Sequence, residues 1–186
     1  QLLRMKISRC AGLTIVFIDS MRIVETKRLT IREANISDDD FFLNLMNSKG
    51  WLKFIGDRHI RKTADARAYI LSLTEHYRNH SYGLFVVCDK KTAQPIGING
   101  FLQRDYLKFP DLGFAFLPTI EGKGYGYESS MALLNYAKND KFFSHVQAIT
   151  IEQNERSKKL LSKLGFTYHE IIRPKDEALL LYSIQL

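Results

Sequence analysis

Cysteine and proline are scarce, with two Cys and four Pro in 186 residues. Cys10 and Cys88 alone cannot build a disulfide framework or a cysteine-rich zinc site, and they suit a reducing, cytoplasmic setting. No apolar run approaches the roughly 18 residues that span a bilayer, so no membrane partner is expected. Repeats and Pro/Gly/Ser-rich linkers are also missing. With twelve Phe and nine Tyr, this excludes disordered, collagen-like and mucin-like chains. What is present is 45% apolar and 25% charged, and the chain is long enough to bury one proper core.

Acidic residues are outnumbered, 20 against 27 Lys and Arg, for a formal charge of +7. That excess permits contact with a polyanion, including a phosphorylated cofactor. The cations are scattered and form no long basic block, so direct nucleic-acid binding is not expected. Residues 1–20 read as an appendage. They carry positive charge and a short apolar stretch from Ala11 to Ile18, which superficially fits a signal peptide. The stretch ends Phe17-Ile18-Asp19-Ser20, without the small-residue cleavage pattern, so an upstream extension is favoured. Thr14 to Ile18 is the segment that could add an edge strand. Residues 21–186 form the expected single domain.

From Met21 the pattern is mixed and alternating. Arg28 to Glu33 alternates as a half-buried strand. Ser37 and three Asp precede Phe41, Phe42, Leu45 and Met46 at helical spacing, which predicts a capped helix rather than a metal site. Residues 47–60 are a loop or short helix. Thr63 is expected to cap a second helix with Ala66, Ile70, Leu73 and Tyr77 on one face. Strands follow at Tyr82 to Cys88, Ile96 to Gln103 and Leu112 to Phe116, then a glycine loop and a helix from about Tyr125 to Asn139. A strand at Val146 to Ile151, a short helix ended by Gly165, and a hairpin around Pro174 complete the chain. The fold class is α/β (α+β).

The loop Glu121-Gly122-Lys123-Gly124-Tyr125-Gly126 opens an amphipathic helix. The first turn of a helix has unpaired N–H groups and the positive end of the dipole, which suits a phosphate. The spacing matches neither a P-loop nor a dinucleotide fingerprint. A plain strand-to-helix turn remains an equal reading of the loop alone.

Wider motifs separate these readings. Leu112 to Pro118 followed by Gly122-Lys123-Gly124-Tyr125-Gly126-Tyr127 resembles the acetyl-CoA segment of GNAT-type N-acetyltransferases. Asn154-Glu155-Arg156-Ser157 and Lys163-Leu164-Gly165-Phe166 resemble the family's second signature, and Glu25-Thr26-Lys27-Arg28-Leu29-Thr30-Ile31-Arg32 resembles the RimJ/RimL-like branch. The likeness runs from about Ile23 to the C-terminus. It implies the GNAT acyl-CoA N-acyltransferase fold, a mixed, mostly antiparallel sheet flanked by helices and splayed at the cofactor. Two departures stand out. Glu121 occupies a position usually held by another residue type and is expected to point outward, and Tyr127 replaces a small residue.

The resemblance implies roles. Phe114, Ala115, Phe116 and Leu117 would pair with pantetheine, and Gly122, Lys123, Gly124, Tyr125, Gly126 and Tyr127 would hold the pyrophosphate. Asn154 would bind the pantetheine arm, or serve as a simple N-cap. Ser157 would lie near the thioester sulfur, or be a solvent-facing first-turn residue. Lys158 and Lys159 could reach the 3′-phosphate, or be a solvated pair. Trp51, Phe54 and Tyr69 are candidates for the acceptor wall, with core packing the alternative. Asp111, Asp176 and Glu177, with His169 and Glu170, are the carboxylate and imidazole candidates for a base, against a water chain. His76 and His80 have the spacing of a metal pair but lack a third ligand, and no metal is expected.

A thioester is already activated. Its thiol pKa is about 8.5, against about 10.4 for lysine and about 8 for an α-amine, which is neutral roughly a tenth of the time at pH 7. Orientation, a proton sink and N–H donors then supply the rate. Cys88 lies within an apolar strand and reads as a buried thiol, so direct transfer in a ternary complex is expected. The acceptor is a protein N-terminal α-amine, ribosomal or other, or a small amine, and a homodimer is left open. The alternative is a GNAT-like module that binds acyl-CoA without turnover.

Overall fold

The structure is a computed structural model that describes residues 5–10, 13–18, 22–140 and 142–186. Met5–Cys10 (β1) and Leu13–Ile18 (β2) pair with each other, antiparallel, as a separate two-stranded sheet. The segment expected on the edge of the main sheet is therefore a strand, but its partner is local. Pairing across two intervening residues closes a very small loop, so it costs little chain entropy. Residues 11, 12 and 19–21 lie outside the described residues.

The main sheet has eight strands. They are Arg22–Glu25 (β3), Leu29–Arg32 (β4), Leu84–Asp89 (β5), Pro95–Leu102 (β6), Asp111–Phe116 (β7), His145–Thr150 (β8), Thr167–Ile172 (β9) and Leu179–Gln185 (β10). Their order is β3-β4-β5-β6-β7-β8-β10-β9. Every neighbouring pair is antiparallel except β7 and β8, which are parallel. β3 was not read from the sequence, because its two apolar residues, Ile23 and Val24, are adjacent and show no alternation.

The helices are Asp39–Met46 (α1), Lys49–Phe54 (α2), Thr63–His80 (α3), Tyr125–Asn139 (α4) and Glu155–Lys163 (α5). Their starts differ in detail from expectation. The box before α1 uses Asn35, whose Oδ1 accepts from Ser37 N at 2.9 Å, while Asp38 Oδ2 accepts from Asn35 N at 2.9 Å. The Asp residues then do more than complement a dipole. Asp38 receives a two-pronged bond from Arg32, and Asp39 pairs with Arg67 at 2.6 Å. Thr63 is the first residue of α3 rather than its cap. Asp65 Oδ2 closes that end by accepting from the backbone of Arg61 and Lys62 at 2.9 and 3.1 Å.

Strand register assigns the helices to faces of the sheet. Asn99 stands opposite Phe114, and its Nδ2 donates to Ser129 and Ser130 Oγ of α4 at 2.8 Å each. Leu112, Phe114 and Phe116 therefore face α4. Arg32 shares the opposite face with Val86, Ile98 and Ala115, and its bond to Asp38 brings the α1–α3 layer there. Period-two alternation puts Asp111, Gly113 and Ala115 on that same face. Among the described residues, no helix is long and apolar enough to cross a membrane.

Candidate active site

β7 and β8 meet at one register point, Asp111 opposite Gln147. Gln147 zips this closed end, its N–H donating to Pro110 O at 2.8 Å and its Oε1 accepting from Phe109 N at 2.9 Å. Beyond Asp111 the strands share no further register, and Phe114 to Phe116 are only half-buried. Their edge opens onto a cavity of about 1110 Å³. The cavity is lined from both faces of the sheet, by the glycine loop and α5 on one side and by Trp51, Phe54 and Tyr69 on the other. The fork is a passage through the sheet.

On the α4 face, Gly122, Gly124, Tyr125, Gly126 and Tyr127 all line the cavity. Gly122 and Gly124 have φ of +77° and +79°, a backbone shape that L side chains rarely adopt. This backbone leads directly into the first turn of α4, and the N-terminal end of a helix favours anions. Two expected members are displaced. Lys123 does not line the cavity; its carbonyl accepts from Arg28 Nη1 at 2.9 Å. Leu117 is also outside the lining, and its N–H donates to Ile96 O at 3.0 Å.

Arg28 is a residue that sequence reasoning left without a task. Its Nε donates to Glu128 Oε2 at 2.6 Å, and its guanidinium stacks on Tyr125 at 4.4 Å. Thr26 Oγ1 donates to the same carboxylate at 2.5 Å. The signal was the opening Thr26-x-Arg28 itself, with its partner 100 residues downstream.

α5 supplies the facing wall. Asn154 lines the cavity and is also an N-cap, its Oδ1 accepting from Ser157 N at 3.2 Å. The capping and lining readings hold together, since the amide NH₂ remains for the cavity. Ser157 and Lys159 line it as well. Lys158 does not, and pairs with Glu155 at 2.5 Å. Lys163, absent from the expected set, lines the cavity with its ammonium 4.5 Å from the Tyr127 ring centroid.

Glu121 is exposed, as expected, but its side chain is engaged. It lines the cavity and forms an ion pair with Arg156. That guanidinium cancels the repulsion that a lone carboxylate would exert on a phosphate.

On the opposite face, Ser48 Oγ caps α2 by accepting from Trp51 N at 3.3 Å. Trp51 is 5% exposed, and its Nε1 has no hydrogen-bond partner. Tyr69 packs against Phe42 with ring centroids 5.7 Å apart. Asp111 lies at the closed end of the fork, 1% exposed, with Oδ2 accepting from Arg104 Nε at 2.6 Å and Oδ1 without a partner. Burial pushes its carboxyl above the ordinary aspartate range, and the Arg104 charge pulls it partly back.

Among the other base candidates, Glu177 lines the cavity, whereas Asp176, His169 and Glu170 do not. Asp176 is exposed and outside the cavity, where its neighbours Lys175 and Glu177 are found instead. The segment is a short 3-10 turn at Pro174–Asp176, with Lys175 at φ +53°. His169 lies on the outer strand β9, bonded to Ser183 Oγ at 2.6 Å. His76 and His80 stack on each other at 4.4 Å, and no group of three metal-ligating residues occurs among the described residues.

A glycine loop opening α4, a strand edge without register past Asp111 and an aromatic-lined chamber are joined through one fork, an arrangement that fits an acetyl-CoA-dependent N-acetyltransferase. Residues 28–167 match the acetyltransferase (GNAT) domain, and the chain belongs to that family. It is 25% identical over 108 residues to the YkkB protein of Bacillus subtilis (strain 168), a match spanning 57% of this chain and 63% of that one. It is 22% identical over 153 residues to the uncharacterized N-acetyltransferase YoaA of the same organism, spanning 81% and 86%. In structure it resembles the ribosomal L7/L12 alpha-N-protein acetyltransferase RimL in complex with coenzyme A. That likeness has a TM-score of 0.78 and 14% identity, covering 89% of this chain and 98% of that one.

Proposed function

We propose that the protein moves acetyl from acetyl-CoA to a primary amine, of a protein N-terminus or a small molecule, by direct attack in a ternary complex. The observation that carries this reading is the single cavity through the fork, with a phosphate cradle on one face and an aromatic chamber on the other. Both substrates reach the strand edge from Gly113 to Phe116 from opposite sides. Residues 21–186 act as one catalytic domain with 1–20 as an appendage, in a reducing, cytoplasmic setting.

In the reaction the amine nitrogen bonds to the thioester carbonyl carbon and the C–S bond breaks. Free edge N–H groups of β7 stabilise the oxyanion. The departing thiolate takes a proton with help from the Ser157 hydroxyl. The proton lost by the amine passes toward Asp111, whose raised pKa makes it a better acceptor than an ordinary aspartate. The named specificity of RimL for a protein α-amine supports including protein N-termini among the acceptors. A screen of amines and N-terminal peptides with acetyl-CoA, read by free thiol and by product mass, tests the reading. Thiol release with one acceptor class is expected. Tight CoA binding with no release across the panel would overturn it in favour of a binding module.

A further inference from the structure

The α1–α3 side of the cavity holds polar atoms without partners. Trp51 Nε1 is buried and unpaired, and so is Asp111 Oδ1. Among the described residues, the Tyr69 hydroxyl donates to no protein group, and Arg58, exposed at the cavity rim, has no ion pair. Arg104 is held by Asp111 and also donates from Nη1 to Tyr106 Oη at 3.3 Å. The unmatched groups are thus several donors and one acceptor, and a ligand completing the site would supply the reverse.

We propose that the acceptor is an amine carrying an anionic group, a carboxylate or phosphate, which sits against Arg58, Tyr69 and Arg104 while the amine turns toward Asp111 and the fork. This rests on the acetyl-transfer reading and names its substrate class. The charges of Arg58 and Arg104 both act on Tyr69. Burial pushes the Tyr69 phenol up, and those two guanidiniums oppose the shift. Lys175 and Glu177, of opposite sign, also line the cavity, and Asp111 is offset by Arg104. Arg58 is a lining guanidinium on this side with no carboxylate partner among the described residues. A guanidinium suits such a group, because its planar fork matches two oxygens at once.

The seat lies on the opposite face from the glycine loop, so it is separate from the cofactor phosphates. An exposed arginine is screened by salt, so the preference should shrink as ionic strength rises.

The test uses the full chain saturated with CoA and three matched pairs of probes. These are phenylalanine against phenethylamine, O-phosphoethanolamine against ethanolamine, and a peptide beginning Ser-Glu against one beginning Ser-Gln. Calorimetric affinity and, with acetyl-CoA, initial rates are read for each. In at least one pair the anionic member should bind about tenfold more tightly, and which pair identifies the source of the anion. Arg58→Gln should erase that difference while leaving the neutral member and the CoA affinity unchanged. Tyr69→Phe should reduce the difference without removing it. Neutral members binding as well as anionic ones in every pair, or Arg58→Gln weakening both members equally, would overturn the proposal. Turnover confined to neutral amines would leave acetyl transfer standing and remove the anion seat. Arg58-dependent anion binding without thiol release would keep the seat and remove the transfer reading.

Discussion

Ser157 illustrates how two duties separate within one residue. Its backbone N–H closes the cap of α5 on Asn154, whereas its hydroxyl lines the cavity. Ser157→Ala deletes the hydroxyl and keeps the cap, so helix and cofactor wall should persist. We expect kcat to fall about five- to tenfold, with CoA affinity nearly unchanged, because a thiolate is a good leaving group with little help. Steady-state rates at saturating substrates, beside a calorimetric Kd, check this. An unchanged kcat would reduce Ser157 to a helix residue. The neighbouring Glu121 shows the opposite lesson. A carboxylate beside a phosphate site looks unfavourable in sequence, and its partner Arg156 becomes evident only when α5 is placed against the loop.

At the scale of elements, the glycine loop is held by a cluster that ties the β3–β4 turn to the first turn of α4. Burial tends to raise the Glu128 pKa, but bonds from Thr26 and Arg28 outweigh it, and the net direction is downward. The sign follows. Glu128 contributes its stability above the ordinary glutamate value of 4.5, and loses it as pH falls through the lowered folded value. Arg28 is 40% exposed, so solvent screening holds the pair to about 1 kcal/mol. Glu128→Gln should therefore lower Tm by about 2–4 °C at neutral pH and converge with the parent under acid conditions. Thermal melts between pH 7 and pH 3 read this directly. A constant gap at all pH values would show that the charge of Glu128 contributes nothing.

At the scale of the whole molecule, the proposed direct transfer requires both substrates to be bound together at the fork. A covalent route would need a reactive thiol there. Cys88 is 4% exposed and outside the cavity, and burial pushes its thiol up, although Arg32 partly counters this. A protonated, covered thiol does not attack a thioester. Double-reciprocal plots should intersect, and Cys88→Ala should keep most activity at a stability cost of about 1 kcal/mol. Parallel lines with an acetylated Cys88 would reverse that conclusion.

Most of the elements were legible without the structure. The alternation of Arg28 to Glu33, the helical spacing in Ala66, Ile70, Leu73 and Tyr77, the stop at Gly165 and the loop before α4 all arise from energies between residues a few positions apart. The candidate cofactor side was likewise read from short windows, the alternating glycines 122, 124 and 126 and an Asn-x-x-Ser helix start. The acceptor side was legible only as a set of candidates. Whether Asp111 or Asp176 faces the chamber depends on which face of the sheet and which side of a turn each occupies. The single β7–β8 register at Asp111, the pairing of Arg28 with Glu128 and the meeting of Arg58, Tyr69 and Arg104 join residues distant in the chain. Spacing determines local conformation and which residues share an element's face. Contacts between elements come from packing them against one another, and that is what only the tertiary structure decided.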